Sequence, residues 1–289
     1  MRGYCYKNVN DKMVRPSWWL PCYDLSTEFH LLSVEFKRRK KFKLSNKWII
    51  KPARGTRGLG HTIVNDDEGL RGIANACPML KCFDNPNSET NKAVNDRIAQ
   101  LLVDKPLLVN GYKFDLRVFV ICRSFVPFEV YVHNLYYARL ANKAYDETAF
   151  KDNEIMLTVN CYSENEDIAS KQQRLTKEEL KNVLESENDG LEWDKCIEDM
   201  HTLLYDFFNG ISPSIGEWGN SRAYYAVDII FDHSTQKPTP HLVEVNFLGD
   251  WHGVSAVVND KSEFYEWCND ILLSLVRKDE LDKNKFTRL

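Results

Sequence analysis

The sequence predicts an α+β fold, because strand-like and helix-like segments mix along the chain without the strict alternation of a doubly wound sheet. Two pairs of apolar segments are each joined by a short turn, which is typical of antiparallel hairpins. The chain has 289 residues, enough for one large domain or for two lobes that share a cleft.

The N-terminal part of the chain predicts one long helix and two short strands. Apolar residues recur at helical spacing over residues 24–43. Residues 48–51 and 61–64 are short apolar runs of strand type on either side of a glycine-rich loop. Residues 93–104 are expected to form a helix or a hinge segment.

The predicted first helix ends in a basic run, residues 37–43, in which six of the seven side chains are cationic. Cations at a helix C-terminus are favoured by the helix dipole, so a solvated helix end is one interpretation. A docking patch for an acidic partner is the other, and both stay open.

Two hairpins are expected in the rest of the chain. Residues 113–122 alternate in polarity and are followed, after a turn at Pro127, by the strand-like residues 128–133. Residues 224–231 and 240–247 are two further apolar runs, which a polar turn separates.

Helices and one long loop complete the prediction. Residues 146–175 are polar and weakly periodic, which indicates a loop. Thr176 and Glu179 have the spacing of a capping box that opens a helix. Two more helices are expected, over residues 193–208 and 261–276.

Composition and charge exclude several classes. The net charge of -4 argues against a nucleic-acid or membrane binder, and no apolar run approaches the roughly 18 residues of a membrane span. The first residues lack the apolar core of a signal peptide, so an intracellular protein is expected. The eight cysteines form no CxxC pair, which predicts reduced thiols and no zinc site.

A phosphate-binding loop is indicated by KPARGTRGLG, residues 51–60. Three glycines permit close approach of backbone amides to a phosphate: Gly55, Gly58 and Gly60. Lys51 adds a positive charge, and Arg54 and Arg57 are further candidates. The loop is not of the Walker type, and a basic hairpin turn explains it equally well when it is taken alone.

Three oxygen-bearing side chains on the second hairpin predict a magnesium site. Glu244 and Asn246 are two residues apart and share one face of a strand, and Asp228 on the preceding strand is expected opposite them. Two carboxylates and an amide oxygen suit Mg²⁺. Both acids lie in apolar segments, where an unpaired carboxylate is costly. The alternative is a pair of acids that are salt-bridged inside a sheet.

A charged row on the first hairpin predicts the floor of a polar cleft. Lys113, Asp115 and Arg117 project to one face, and three apolar side chains project to the other: Leu116, Val118 and Val120. Arg117 is suited to bidentate binding of a phosphate or a carboxylate, and Arg139 is a second candidate. The alternative is a solvated outer face with cross-strand ion pairs.

With these segments in order, the chain resembles the tubulin–tyrosine ligase-like family, most closely its branch numbered twelve. The resemblance runs from about Trp18 to the C-terminus. Its carriers are WIIKPARGTRGLG, QLLVDKPLLV, GYKFDLRVFV, LYYARLAN, LTVNCYS, YYAVDII and LVEVNF. It implies an ATP-grasp fold, in which two lobes with mixed and antiparallel sheets enclose an ATP cleft. Residues 1–46 would be a reduced N-terminal segment, residues 47–105 the lobe with the glycine-rich loop, and residues 106–289 the lobe with the magnesium site.

The resemblance also implies the roles of individual residues. ATP phosphates would be held by Lys51, Arg57, Gly58 and Gly60. The adenine hinge and the remaining nucleotide contacts would be Gln100, Leu101, Leu102, Val103, Lys113, Asp115 and Asn160. Arg117 and Arg139 would steady the γ-phosphate, the acyl-phosphate or the incoming amino acid. Asp228, Glu244 and Asn246 would hold Mg²⁺, with Glu244 also counted as catalytic.

The activity that the resemblance implies is an ATP- and Mg²⁺-dependent ligase. It would add a free amino acid (tyrosine, glutamate or glycine) to the acidic C-terminal tail of tubulin through an acyl-phosphate. A monomeric cytoplasmic protein, associated with microtubules, is expected. The chain departs from the family pattern in three places: Leu101 replaces a lysine, residues 247–251 replace a Ser-Pro-Ser turn, and LTVNCYS carries one residue more than the usual HLTNYS. These departures keep open an inactive tubulin-binding protein of the same fold, and a ligase for a small metabolite is the third hypothesis.

Overall fold

The computed structural model describes residues 6–7, 13–52, 60–76, 97–158, 173–215, 222–247, 249, 251–277 and 279–289. The chain forms two compact units. The small unit comprises Leu20–Asp104 and Ala141–Gln172, and the large unit comprises Met1–Trp19, Lys105–Leu140 and Gln173–Leu289. The three-part division at residues 46 and 105 stays a prediction.

The strands that the structure describes are β1 (Tyr6–Lys7), β2 (Met13–Val14), β3 (Cys22–Asp24), β4 (Trp48–Pro52), β5 (Thr62–Val64), β6 (Arg97–Leu101), β7 (Leu108–Val109), β8 (Tyr112–Ser124), β9 (Glu129–His133), β10 (Tyr137–Leu140), β11 (Arg174–Thr176), β12 (Ala223–Asp232), β13 (Thr239–Asn246) and β14 (Phe286–Arg288). The helices are α1 (Phe29–Lys41), α2 (Asp67–Ala76), α3 (Asn153–Met156), α4 (Lys177–Glu187), α5 (Trp193–Ile215), α6 (His252–Ser255) and α7 (Lys261–Val276).

The small unit is built on a four-stranded antiparallel sheet in the order β3-β6-β4-β5. Because side chains alternate along a strand, its two faces have different partners. Trp48 and Ile50 of β4 pack with α1 and α2, whose buried members include Leu32 and Leu70. The intervening Ile49 packs on the other face, together with side chains of α3.

The large unit is built on an eight-stranded antiparallel sheet with the path β11-β10-β8-β12-β13, to which β7, β9 and β14 are joined at the side. Strand β8 is its centre, and eleven of its thirteen residues are buried. Such a strand must be covered on both faces. Leu116 and Val118 pack with α5, and Phe119 packs on the opposite face against Trp267 of α7.

The α+β prediction is confirmed, and so are several of its elements. Both predicted hairpins form as antiparallel pairs, β8 with β9 and β12 with β13. The last helix has the predicted bounds. The capping box is complete, with the Thr176 hydroxyl accepting from the Glu179 amide and the Glu179 carboxylate accepting from the Thr176 amide.

Other boundaries were predicted wrongly. Helix α1 begins at Phe29, because Cys22–Asp24 pairs with β6 as a strand. The helix alternative for residues 93–104 is wrong, since Arg97–Leu101 is a strand between two others. Helix α5 continues seven residues beyond the predicted end and contains Pro213. The predicted loop over 146–175 includes α3 and part of β11, and its residues 159–172 lie outside the described part.

Among the residues that the structure describes, no helix has both the length and the apolar character needed to cross a membrane.

Candidate functional site

Four neighbouring strands of the large unit carry one row of site residues. Tyr137 of β10 is paired in register with Arg117 of β8, Arg117 with Asp228 of β12, and Asp228 with Glu244 of β13. Residues in register on adjacent strands have side chains on the same face of the sheet. A register shift follows Asp228, a local irregularity of the kind that often re-aims side chains next to functional sites. The predicted opposition of Asp228 and Glu244 is thus present.

Two arginines hold Asp228 by charged hydrogen bonds. Arg117 donates from Nε to Oδ1 at 2.6 Å and from Nη2 to Oδ2 at 3.2 Å, and Arg139 approaches Oδ2 with Nη2 at 2.8 Å. Arg139 also donates to both oxygens of Asp115, at 2.8 and 2.6 Å. The planar guanidinium matches a carboxylate bidentately, so each arginine is fixed in orientation.

The charges of this cluster are buried. Its members are less than 9% exposed and comprise three cations and two carboxylates: Lys113, Arg117, Arg139, Asp115 and Asp228. The alternative of a solvated outer face is therefore wrong for β8. The cluster continues directly into core, since Phe119 is the next residue on the same face and is fully buried. Buried charge of this kind survives only when it is paired and hydrogen-bonded.

Burial and ion pairing act in opposite directions on the two central groups. Burial alone would raise the pKa of Asp228, but the charges of Arg139 and Arg117 outweigh it, and the pKa lies below its usual value. For Arg139, burial acts to lower the pKa, yet the charges of Asp115 and Asp228 raise it well above its usual value. Both side chains are therefore ionised at neutral pH.

Glu244 and Asn246 differ from Asp228 in burial. Glu244 is exposed and Asn246 is half-buried, so the expectation of an apolar environment holds for Asp228 and is wrong for Glu244. The alternative to a magnesium site was a pair of acids that are salt-bridged inside the sheet. Asp228 is salt-bridged in this way, whereas the carboxylate of Glu244 opposite it is exposed. The two acids therefore form an asymmetric pair.

The donor set fits a magnesium ion by its chemistry. A carboxylate offers about four lone-pair sites, and the three arginine contacts of Asp228 leave one on Oδ1. Glu244 and Asn246 add two further oxygen donors, and Mg²⁺ fills its other positions with water and phosphate. Among the described residues, there is no group of three or more His, Cys, Asp or Glu side chains that could hold a metal ion.

The small unit holds a second set of candidates on the face opposite α1 and α2. Lys51 donates from Nζ to Oε1 of the buried Gln100 at 2.7 Å, across the β4–β6 pair. Apolar side chains adjoin this pair on the same face: Ile49, Ile63, Leu102 and Met156. A cation beside an apolar surface is what a nucleotide needs for its phosphates and its base.

His61 is a further candidate beside Lys51 that the sequence analysis did not single out. Burial, and then the charge of Lys51, lower its pKa to about 4, so the ring is neutral at physiological pH. Its Nδ1 is buried and finds no hydrogen-bond partner among the residues that the structure describes. The sequence feature that could have pointed to His61 is its place as a polar residue at the start of an apolar strand. In the structure it directly follows Gly60, whose φ of +74° favours glycine.

The predicted hinge is buried, and two of its backbone amides already donate hydrogen bonds within the protein. All four residues, 100–103, are less than 10% exposed. The amide of Leu101 donates to the Pro21 carbonyl at 2.8 Å, and that of Leu102 donates to the Lys47 carbonyl at 2.9 Å. Leu101 packs into the core under α1, on the face of the sheet away from Lys51 and Gln100.

Several predicted residues lie outside the part of the chain that the structure describes. They are Arg54, Gly55, Arg57 and Gly58 of the glycine-rich loop, and Asn160. Their predicted roles rest on the sequence alone.

Comparison with known proteins assigns the family. A family model described as "Tubulin-tyrosine ligase family" matches residues 4–281. Tubulin–tyrosine ligase-like protein 12 of Caenorhabditis briggsae is 25% identical over 283 residues, which cover 93% of this chain and 38% of that protein. The human protein of the same name is 25% identical over 243 residues, covering 80% of this chain and 35% of that protein. A probable alpha-tubulin polyglutamylase of Tetrahymena thermophila is 26% identical over 250 residues, covering 84% and 57%.

This chain spans less than half the length of those two ligase-like proteins. The resemblance to the branch numbered twelve is confirmed by their names, and the α+β architecture with antiparallel sheets agrees with an ATP-grasp fold. Because the family model covers nearly the whole sequence, the chain belongs to the tubulin–tyrosine ligase family and has its ATP-grasp-like fold.

Proposed function

We propose that the chain is an ATP- and magnesium-dependent ligase that adds an amino acid to a protein carboxylate, with the acidic tail of tubulin as acceptor. The observation that carries the proposal is the buried Asp228, fixed by two arginines and in register with the exposed Glu244. Relatives named as tubulin polyglutamylases and a tubulin glycylase support the substrate class. A cytoplasmic, microtubule-associated location follows from that substrate.

The proposed reaction has two steps. An oxygen of the acceptor carboxylate attacks the γ-phosphorus of ATP, and ADP leaves as the acyl-phosphate forms. The amine of the incoming amino acid then attacks the acyl carbon, and inorganic phosphate leaves. No covalent bond to the protein is needed, so the side chains act by positioning and by electrostatic stabilisation.

Each charged group has a distinct task in this scheme. Asp115 and Asp228 hold Arg117 and Arg139 in fixed orientations, so that the remaining N–H groups can stabilise negative charge on a phosphoryl or acyl oxygen. Lys51 would bind phosphate oxygens and Gln100 would keep its ammonium in place. Lys113 and Asp115 are the proposed nucleotide contacts on β8.

Asp228, Glu244 and Asn246 would hold the magnesium ion, which when bound supplies charge neutralisation to the transferring phosphoryl group. Glu244 is the natural entry point, because it is the one exposed carboxylate of the set. Asp228 would contribute through its remaining lone pair while it keeps both arginine contacts.

An inactive partner-binding protein of the same fold is the second candidate. The specific observation in its favour is that Arg117 and Arg139 already compensate the charge of the buried Asp228. The replaced turn at residues 247–251 points the same way. The altered hinge position Leu101 carries less weight, because its side chain packs in the core under α1.

The test is incubation with tubulin, ATP, Mg²⁺ and each of tyrosine, glutamate and glycine in labelled form. We expect incorporation of one of them by the wild type, loss with Glu244→Gln, and unchanged incorporation with Glu280→Gln, an exposed glutamate of the same unit. Mg-ATP binding without incorporation of any amino acid into tubulin would refute the proposed acceptor reaction. No binding of Mg-ATP by the folded protein would favour the inactive candidate.

A further inference from the structure

The two helices of the small unit enclose a groove that the proposed ligase chemistry does not use. This α1–α2 groove has a volume of about 610 Å³ and is lined by residues of both helices. Its apolar lining includes Phe29 and Leu70, which also contact the core beneath the helices. The groove therefore has a partly apolar floor that is packed against the core, unlike a flat patch of surface charge.

The walls of the groove are basic. Lys37, Lys40 and Lys41 line it from α1, and Arg71 lines it from α2. Asp67 is the acidic lining residue and forms an ion pair with Lys40. The lining thus carries three more positive than negative charges, although the whole chain carries a net charge of -4. A concentrated positive field on an otherwise acidic protein attracts anionic partners and raises their association rate.

The remaining arginines of the basic run are engaged within the helix. Arg38 donates from Nε and Nη2 to both oxygens of Glu35 at 2.7 Å, and Arg39 reaches the same carboxylate at 3.4 Å. By contrast, the described residues provide no ion-pair partner for Lys37, Lys41 or Arg71. Within the run, Arg38 and Arg39 are therefore paired with Glu35, whereas Lys37 and Lys41 line the groove without such a partner in the described part of the chain.

We infer that the α1–α2 groove binds an acidic peptide segment that carries an apolar side chain among its carboxylates. Charge complementarity selects the carboxylates, and the floor formed by Phe29 and Leu70 selects the apolar side chain. Asp67 competes for the same cations from within the groove. The binding of such a peptide does not depend on the proposed function. Only the identification of the bound peptide as the acceptor of the ligase rests on it.

The groove and the nucleotide candidates lie on opposite faces of one sheet, which makes the two functions separable. The helices pack over Trp48 and Ile50, whereas Lys51 and Gln100 meet on the other face. Substitutions in the groove are thus expected to leave Mg-ATP binding unchanged. Failure of peptide binding and failure of nucleotide binding can be told apart in one set of variants.

The experiment measures fluorescence anisotropy of a labelled heptapeptide made of six glutamates and a central phenylalanine, with the full chain. Neutralising Lys37, Lys41 and Arg71 to glutamine is expected to weaken binding by about two- to fivefold for each cation, the effect typical of one exposed ion pair. The matched control replaces three exposed lysines elsewhere, Lys195, Lys261 and Lys283, and should retain wild-type affinity.

A variant with the opposite sign strengthens the test. Asp67→Asn removes the competing carboxylate and frees Lys40, so the peptide should bind about two- to fivefold more tightly. Replacing the central phenylalanine of the peptide by alanine should weaken binding to the wild type.

Equal loss of affinity in the groove and control variants would overturn the inference, as would weaker binding by Asp67→Asn. Binding of a single-stranded oligonucleotide of equal charge with the same affinity and the same response to the variants would also overturn it, because the groove would then be a general anion site.

Discussion

The contrast between the two facing carboxylates gives a sharp prediction. Asp228→Asn and Glu244→Gln make the same chemical change at positions that are directly paired across β12 and β13. Asp228 is 4% exposed and compensates two guanidinium groups, whereas Glu244 is exposed. Removing the charge of Asp228 takes away the carboxylate that both Arg117 and Arg139 contact, while the two guanidinium groups stay buried.

The expected cost differs between the two variants. Removing one partner of a buried ion pair costs about 3–5 kcal/mol, because the other charge stays buried. An exposed substitution is usually neutral to within about 0.5 kcal/mol. We therefore expect urea unfolding to show a loss of about 3–5 kcal/mol for Asp228→Asn and almost none for Glu244→Gln. Both variants should lose Mg-dependent nucleotide binding.

The pH dependence provides a second observable for the same pair. The pKa of Asp228 is lower in the folded protein than its usual value, so its contribution is present at neutral pH and is lost as the pH falls below about 4. The stability difference between the wild type and Asp228→Asn should shrink below that pH. A loss of less than about 1 kcal/mol in Asp228→Asn, or equal losses in the two variants, would refute the assignment of a buried, paired carboxylate.

Three further predictions concern stability, each measured by urea unfolding. Burial, together with the charges of Lys285 and Lys177, lowers the pKa of His133 to about 4, so only the unfolded chain takes up this proton between pH 7.5 and 5. The wild type should therefore lose unfolding free energy over that range, and His133→Gln should remove about 2 kcal/mol of the loss. The same dependence of stability on pH in both proteins would contradict this. Thr176→Ala should cost about 1 kcal/mol through loss of the capping box, whereas Thr176→Ser should cost little. A Cβ at Gly253 would clash with the hydroxyl group of Tyr137, so Gly253→Ala should cost about 1–3 kcal/mol, part of which Tyr137→Phe restores. Full stability of the single variant would argue against this packing.

The parts of the fold that were predictable are encoded locally. The β12–β13 hairpin follows from two apolar runs and one short turn, and the capping box follows from two residues three positions apart. Strand β6 was not predictable as a strand, because RIAQL has no clear period of its own and is fixed by pairing with β3 and β4 on either side. Strand propensity of this kind depends on neighbours that are distant in the sequence.

The same distinction separates the predicted and the missed parts of the site. The opposition of Asp228 and Glu244 required only the hairpin. The pairing of Asp228 with Arg117 joins residues 111 positions apart, and no spacing rule connects them. The burial of the two carboxylates also depends on the whole sheet. Asp228 lies on an inner strand and Glu244 on the edge strand of the path, and the apolar residues around both positions do not reveal this difference.

The central claim is that Asp228, Glu244 and Asn246 together hold a magnesium-bound nucleotide. Titration calorimetry with ATP, in Mg²⁺ and in excess EDTA, tests it most directly on the wild type and on Glu244→Gln, a variant expected to fold normally. We expect binding that requires Mg²⁺ in the wild type and is at least tenfold weaker in Glu244→Gln. Equal affinity of the two proteins, or binding by the wild type that is indifferent to EDTA, would contradict it.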